Sequence, residues 1–282
     1  MHPAFRVAVV LLLATALVAG AGCTSGRERT DRIIVTGSTT ILPIAEQASE
    51  AFTKKHPTTA VLVSGLGSSA GIEAVSAGTS QIGTASRDLK EEEESLGLVE
   101  TSIAYDGIAV IVSPQNRIND LTIDQLRAIF SGQLTNWSEV GGENRPIQVV
   151  NRDEASGTRE AFKKIVMEDL PFDSDAAVLP GTGQVRDVVA RAPGAIGYIS
   201  LGFVEPRFTG VRVKAVNVDG IVPSEETVAN DKYPIGRTLH FFTKGEPTGL
   251  TKDYIDFVLS STIQQGVVVD AGFIPISEGG VR

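Results

Sequence analysis

The chain lacks most of the residues on which common catalytic and metal sites are built. It contains one cysteine, Cys23, among 282 residues, and a lone cysteine cannot close an internal disulfide. The HExxH, CxxC and Gly-Lys-Ser/Thr patterns are absent, which argues against a zinc site and a nucleotide-binding P-loop. Ser156 has no G-x-S-x-G context, and His2, His56 and His240 lie far apart. We therefore expect a protein that is not an enzyme and needs neither a metal nor a cofactor.

Basic charge is also scarce, with 25 Lys and Arg against 34 Asp and Glu and a net charge of -9. Nucleic-acid binders need a basic footprint, so we exclude nucleic acid as a partner. The negative balance does not exclude a small anion, because N–H dipoles at contact distance outweigh a field that salt screens over about 8–10 Å. Hydrophobic content of 42% is typical of a globular protein, and the length suits two domains.

The longest apolar run lies at the N-terminus. Residues 7–18 form an apolar stretch behind Arg6, shorter than the ~20 residues that a spanning helix needs. We predict an export signal over residues 1–22, with a plain N-terminal membrane anchor as the alternative. The residues before Cys23 resemble the lipobox of bacterial lipoproteins, although Gly20 stands where that pattern has Leu. The resemblance implies lipidation of Cys23, a tether over residues 23–31 and a lipid anchor on the extracytoplasmic face of a cell membrane.

Three times the sequence passes from a short apolar run through a Ser/Thr/Gly-rich loop into a helical pattern. These loops cover residues 37–40, 64–69 and 152–158. A helix N-terminus leaves N–H groups unpaired, and its dipole favours negative charge. One such loop alone is more often a simple turn or cap, but three together predict a site for a small tetrahedral oxyanion.

Four charged residues near these loops are candidates for contact with an anion. Arg87 and Arg152 are able to grip two oxygens each, with surface ion pairs as the alternative. Asp106 and Glu154 would repel an anion unless it carries a proton to donate. Phosphate keeps such a proton near neutral pH and sulfate does not, so an acidic acceptor would select phosphate. The alternative for each acid is an arginine partner or a helix cap.

Strand and helix patterns alternate from residue 31 onward, which predicts an α/β fold with mostly parallel sheets. Residues 103–112 are expected to form a buried strand and residues 187–191 a helix. We expect residues 32–114 and 234–282 to form one lobe and residues 115–233 an inserted second lobe. The first helix is predicted from the spacing of its apolar residues: Ile41, Ile44, Ala45, Ala48 and Phe52.

A family resemblance is spread over seven segments: residues 37–45, 65–72, 82–87, 105–110, 130–137, 152–158 and 194–198. Together they resemble the phosphate-binding subunit of high-affinity phosphate ABC importers. Two positions depart from its best-known branch, which has Ser-Asp in place of Ser86-Arg87 and an Asp in place of Glu154. Asp106 is then the first candidate for the acidic acceptor and Glu154 the second.

The resemblance implies an α/β, two-lobed periplasmic-binding-protein fold of the second type, with two crossovers and a ligand cleft between the lobes. It implies a monomeric, lipid-anchored receptor that delivers inorganic phosphate to the ABC permease subunits in the membrane. The alternatives are a receptor of the same fold for sulfate or molybdate, and a surface sensor or adhesin with a vestigial site. The expected ligand-binding residues are Ser38, Thr39, Ser68, Ser86, Arg87, Asp106, Arg152, Glu154, Ser156, Gly157 and Thr158.

Overall fold

The computed structural model of the chain describes residues 31–205 and 210–276. The predicted export signal, Cys23 and the predicted tether apart from Asp31 lie outside the described residues. No helix within the described ranges combines the length and the apolar character that crossing a membrane requires.

Strands and helices alternate along most of the described chain. The strands are β1 (Asp31–Gly37), β2 (Thr59–Gly65), β3 (Ile82–Ala85), β4 (Leu98–Val112), β5 (Asp120–Leu121), β6 (Gln148–Arg152), β7 (Ala177–Leu179), β8 (Ala195–Ser200), β9 (Lys214–Ala215), β10 (Asn217–Val218) and β11 (Gly236–Lys244). The helices are α1 (Leu42–Lys55), α2 (Ser68–Ser76), α3 (Ile123–Phe130), α4 (Gly157–Phe162), α5 (Thr182–Arg191), α6 (Glu225–Ala229), α7 (Gly249–Leu259) and α8 (Ser261–Ile263). Single π turns, Lys163–Met167 and Gln264–Val268, continue α4 and α8.

The main sheet has the strand order β2-β1-β3-β11-β4-β8-β6-β7, and β9 pairs with β4. β1 is parallel to β2 and β3, and β6 is parallel to β7 and β8. β11 runs antiparallel to both of its neighbours. The parallel parts bring the carboxyl ends of β1, β3 and β6 to the loops that precede helices, where α/β proteins place their ligand sites.

β4 passes from one to the other of the two largest hydrophobic cores of the described residues. Its residues 98–107 pair with β11, and its residues 108–112 pair with β8. Ala104 is buried in the first core and Ile108 in the second. The change of core thus falls inside β4, earlier in the chain than the predicted boundary at residue 114. We call the parts around these cores the first lobe and the second lobe.

The second crossover returns through β11. Ile235, just before the strand, is buried in the second core, and Leu239 is buried in the first. β4 and β11 therefore lie side by side as the two antiparallel connections between the lobes.

The predicted amphipathic spacing explains how α1 packs against the core of the first lobe. Ile44, Ala45, Ala48 and Phe52 are all buried on one face of this helix. Pro43 lies in its first turn, where proline costs no hydrogen bond. The burial of this face fixes the N-terminus of α1, and with it the loop that follows β1.

Candidate functional site

Loops from the two lobes meet at one point beside the crossovers. The first lobe contributes the loop after β1, the start of α2 and the end of β3. The Ser68 hydroxyl accepts a hydrogen bond from the Ser86 N–H at 3.1 Å, and both face the start of α4. A Cβ placed on Gly157 would lie 2.2 Å from the Ser68 Oγ. The structure thus brings together Ser68, Ser86 and Gly157, as the sequence predicts.

Arg152 is the cation of the second lobe in this cluster, and its side chain is buried, with 2% exposed. Its guanidinium donates to the hydroxyls of Thr39 and Thr182, both at 3.2 Å. It also donates to the carbonyl oxygens of Leu179 at 3.1 Å and Pro180 at 2.9 Å. Burial lowers the pKa of Arg152 from its ordinary value, and the neighbouring Asp153 charge opposes that shift.

All of these acceptors are neutral. Among the described residues, the ion pairs found do not include one to the Arg152 guanidinium. A buried guanidinium bonded to hydroxyls and carbonyls keeps a positive charge that no carboxylate contact offsets. This is the electrostatic environment that an anionic ligand would complete.

Arg237 is a second buried guanidinium in the cluster, and the sequence reasoning missed it. Its Nε and Nη2 both donate to Asp106 Oδ2, at 2.9 and 2.6 Å. Its Nη1 donates to the Thr158 hydroxyl at 2.9 Å and to the Ser86 carbonyl oxygen at 3.0 Å. Its Nη2 also approaches the Thr40 hydroxyl at 3.4 Å. Burial lowers the pKa of Arg237, and Asp106 opposes that effect.

Asp106, predicted as the first candidate for the acidic acceptor, lies beside Arg237. The carboxylate is fully buried, and its Oδ1 accepts from the Ser200 hydroxyl at 2.8 Å. Burial raises the pKa of Asp106, while its contacts with Arg237 and Ser200 lower it. Both carboxylate oxygens are thus occupied by protein donors, and the arginine partner is Arg237.

Two other predicted site residues take different positions. Arg87 forms a two-fold ion pair with Glu93, with N–O distances of 2.6 and 2.8 Å, and it donates to the Ser69 hydroxyl at 3.3 Å. Glu154 has an exposed side chain. Arg87 is thus paired with Glu93 and Glu154 is exposed, and the anion-gripping and acceptor roles predicted for them stay predictions.

The remaining predicted residues shape the loops. The Ser38 hydroxyl accepts from the Thr40 N–H at 3.2 Å, and the Ser156 hydroxyl caps α4 by accepting from the Arg159 N–H at 3.2 Å. Gly157 and Thr158 follow this cap as the first residues of α4. The N–H groups at such positions have no acceptor within their own helix and are available to an anion.

Three residues of the cluster escaped the sequence analysis: Thr40, Thr182 and Arg237. Thr40 directly follows the predicted pair Ser38 and Thr39, so the loop itself was a signal for it. Thr182 stands between two glycines at the start of α5, which obscures the beginning of that helix. Arg237 lies near the start of β11, a strand that also contains the apolar residues Leu239, Phe241 and Phe242, and a cation close to a buried apolar stretch signals a buried partner.

The lobes touch on both sides of the cluster. Ser69 N–H donates to the Ala155 carbonyl oxygen at 3.2 Å, and Lys164 Nζ lies 3.1 Å from Asp88 Oδ2. Grooves of about 530 and 510 Å³ flank the cluster, each lined by residues of both lobes. Within the described ranges, no group of three or more His, Cys, Asp and Glu side chains is arranged to hold a metal ion.

Comparison with known proteins identifies the family. The model of the PBP superfamily domain matches residues 23–262. The phosphate-binding protein PstS of Bacillus subtilis is 32% identical over 289 residues, covering 97% of this chain and 95% of that protein. The chain belongs to the PBP superfamily, in the PstS family. PstS of Borreliella burgdorferi is 34% identical over 254 residues, 86% of this chain and 90% of its own length.

Solved structures of this family share the fold. A phosphate ABC transporter substrate-binding protein from Clostridium perfringens with bound phosphate has 39% identity and a TM-score of 0.83. The match covers 88% of this chain and all of that chain. A phosphate transport receptor from Vibrio cholerae has 31% identity and a TM-score of 0.72, over 86% of this chain and 100% of that chain. The predicted α/β, two-lobed periplasmic-binding-protein fold with its two crossovers is confirmed.

Proposed function

We propose that this PstS-family chain is a phosphate-binding receptor that captures inorganic phosphate between its lobes and delivers it to an ABC transporter. The observation that carries this proposal is Arg152, a buried guanidinium whose hydrogen bonds all go to neutral acceptors. A dianion at this point would supply the missing negative charge. The bound phosphate of the Clostridium perfringens relative supports the same ligand.

The binding energy would come from the buried positive charge and the fixed hydrogen-bond donors of the site. It would not come from the net charge of the chain, which is negative. The hydroxyls of the cluster and the first N–H groups of α4 are held in place before a ligand arrives, which lowers the entropy cost of binding. Contacts with both lobes would stabilise the closed arrangement of the protein, because a ligand favours the state with which it makes more contacts.

A receptor for another oxyanion, sulfate or molybdate, is the second candidate function. The acidic acceptors predicted to read the proton of phosphate are engaged or exposed: Asp106 bonds Arg237 and Ser200, and Glu154 is exposed. Sulfate and molybdate are therefore the competing ligands to test against phosphate, because neither carries a proton that needs an acceptor on the protein.

We also propose how the chain is exported, where it is anchored and in which oligomeric state it acts. The chain is exported with residues 1–22 as its signal, is anchored by a lipid on Cys23 at the extracytoplasmic membrane face, and acts as a monomer without catalysis. We also propose the predicted division into one lobe of residues 32–114 with 234–282 and a second lobe of residues 115–233.

Isothermal titration calorimetry of the purified protein with phosphate, sulfate and molybdate tests the function. We expect saturable binding of phosphate at one site per chain, and tighter binding of phosphate than of the other two anions. Binding of none of the three would refute the receptor function, and tighter binding of sulfate or molybdate would assign the chain to that ligand. Arg152→Gln serves as the variant that should lose binding.

A further inference from the structure

The two buried arginines of the site are arranged in the same way. Arg152 donates to Thr39 of the first lobe and Thr182 of the second, and these two hydroxyls lie 3.0 Å apart. Arg237 is matched to its own pair of threonines, one from each lobe. Each arginine therefore bridges a pair of hydroxyls that meet only when the lobes are together.

The Arg237 pair consists of Thr40 from the first lobe and Thr158 from the second. Their hydroxyl oxygens lie 3.1 Å apart, and Arg237 reaches them at 3.4 and 2.9 Å. Thr40 and Thr158 are both buried. A threonine hydroxyl that accepts a hydrogen bond from a guanidinium is held in one orientation, and its own proton points away from the guanidinium. That proton is then donated either to the partner threonine or to a bound anion.

Arg237 also lies on the crossovers themselves. It is the cross-strand neighbour of Asp106, since β11 and β4 pair with these two residues in register. Asp106 in turn accepts from Ser200 of the second lobe. The ion pair thus links the connection between the lobes to the hydroxyls at the site.

We propose that Arg237 is a positioning residue that couples lobe closure to anion capture, acting through Thr40 and Thr158. Asp106 fixes the Arg237 side chain on the crossovers through their ion pair, and Arg237 contacts both threonines only when the two lobes have met. This inference rests on the proposed phosphate function. The other interpretation of Arg237 is a structural ion pair that only holds β4 to β11.

Spin-label distances measured with and without phosphate separate the two interpretations. Cys23→Ser leaves the full chain without cysteine, and Lys54→Cys and Gln133→Cys then place one label on an exposed position of each lobe. Phosphate is expected to shift the wild-type distance distribution to a single closed population. Calorimetry on the same proteins gives the affinity.

The first test changes the hydroxyl and leaves both charges in place. Thr40→Val should raise the dissociation constant for phosphate about tenfold or more and leave part of the population open at saturation. Thr40→Ser, which keeps the hydroxyl, should behave like the wild type. Thr243→Val is the matched control, because Thr243 is a buried threonine of β11 that donates to Gly245 instead.

The second test removes the ion pair without stranding a buried charge. Asp106→Asn with Arg237→Gln removes both charges and keeps a polar side chain at each position. We expect this double variant to fold, to bind phosphate about tenfold or more weakly and to close incompletely. If it fails to fold, the threonine variants still decide the question.

The outcomes separate this inference from the function on which it rests. If the wild type neither binds phosphate nor closes, the proposed function is wrong. If the wild type binds and closes, and Thr40→Val and the double variant do the same with wild-type affinity, the function stands and the role of Arg237 is overturned. Incomplete closure of Thr40→Val with normal closure of Thr40→Ser supports the coupling.

Discussion

Gly157 of the second lobe faces Ser68 of the first so closely that a side chain does not fit between them. A Cβ on Gly157 would lie 2.2 Å from the Ser68 Oγ and 2.9 Å from the Ser86 Oγ. Both distances are shorter than real Cβ contacts. The lack of a side chain at position 157 is therefore a condition for the lobes to meet as they do.

Gly157→Ala should weaken phosphate binding about tenfold or more, because the added methyl group holds the lobes apart and costs the closed state more than ~1.4 kcal/mol. The thermal midpoint of unfolding should change little, since the clash lies between the lobes and not in a core. Titration calorimetry measures the phosphate affinity, and a thermal melting curve measures the midpoint of unfolding. Gly266→Ala is the control, as a Cβ there meets nothing within 4 Å. Unchanged phosphate affinity of Gly157→Ala would show that the ligand-bound lobes do not close on this contact.

Arg152→Ala should weaken phosphate binding by about 1.5–3 kcal/mol or more, the size of a lost charge-assisted hydrogen bond in a buried site. Titration calorimetry measures the loss directly. Arg127→Ala is the matched control, because Arg127 pairs with Asp124 and Glu168 within the second lobe and should leave the affinity unchanged. Equal affinity of Arg152→Ala and the wild type would remove Arg152 from the site.

Local patterns predicted much of the fold. The apolar spacing of α1 corresponds to a buried face, because a helix exposes one side to water and needs the other for the core. α5 was predicted to start at residue 187 and begins at Thr182, since Gly181 and Gly183 have low helix propensity and hide its first turn. β4 begins at Leu98 rather than residue 103, because its first residues are only half-buried and include polar side chains.

The candidate site was predictable where its residues follow one another in a loop. Ser68, Ser86 and Gly157 come together as expected, because each ends a strand or begins a helix. The pairing of Arg237 with Asp106 was not predictable, since it joins residues 131 positions apart and depends on the register of two crossovers. That register is set by the burial of whole strands, which a single sequence does not reveal.

Asp106→Asn should reduce the free energy of unfolding by about 3–5 kcal/mol, because it leaves the buried Arg237 charge without its partner. Urea unfolding of the variant measures this loss. Arg237→Gln added to Asp106→Asn should restore a large part of it, because the second change removes the stranded charge. Independent, additive losses from the two substitutions would contradict a coupled buried ion pair.

Cys23→Ala should abolish labelling of the expressed protein by a radioactive fatty acid and move the protein from the membrane fraction to the soluble one. The physical reason is that the anchor is the acyl chain, and the sequence offers no other cysteine to carry it. The expression host must process lipoproteins, so a known lipoprotein is the control for labelling. A mature wild-type chain that starts at another residue and carries no lipid would contradict the prediction.

His240 should make the stability of the first lobe depend on pH. This buried side chain of β11 has Glu100 Oε1 2.9 Å from its Nδ1 and Asp88 Oδ1 3.7 Å from its Nε2. Burial alone lowers the pKa of His240, but the two carboxylates outweigh it and raise the pKa above its ordinary value. The contacts with His240 and Lys164 lower the pKa of Asp88, so its carboxylate stays ionised near neutral pH.

A raised pKa in the folded state means that the folded protein binds the proton more tightly than the unfolded chain. The stabilisation is fully present below the unfolded pKa of about 6.5 and is lost as the pH rises through the folded pKa of His240. Urea unfolding at about pH 6 and about pH 9 should therefore show a larger stability difference between wild type and His240→Gln at the lower pH. His56→Gln is the control, because His56 is an exposed residue at the end of α1. The same difference at both pH values would mean that His240 is not charged between its two carboxylates.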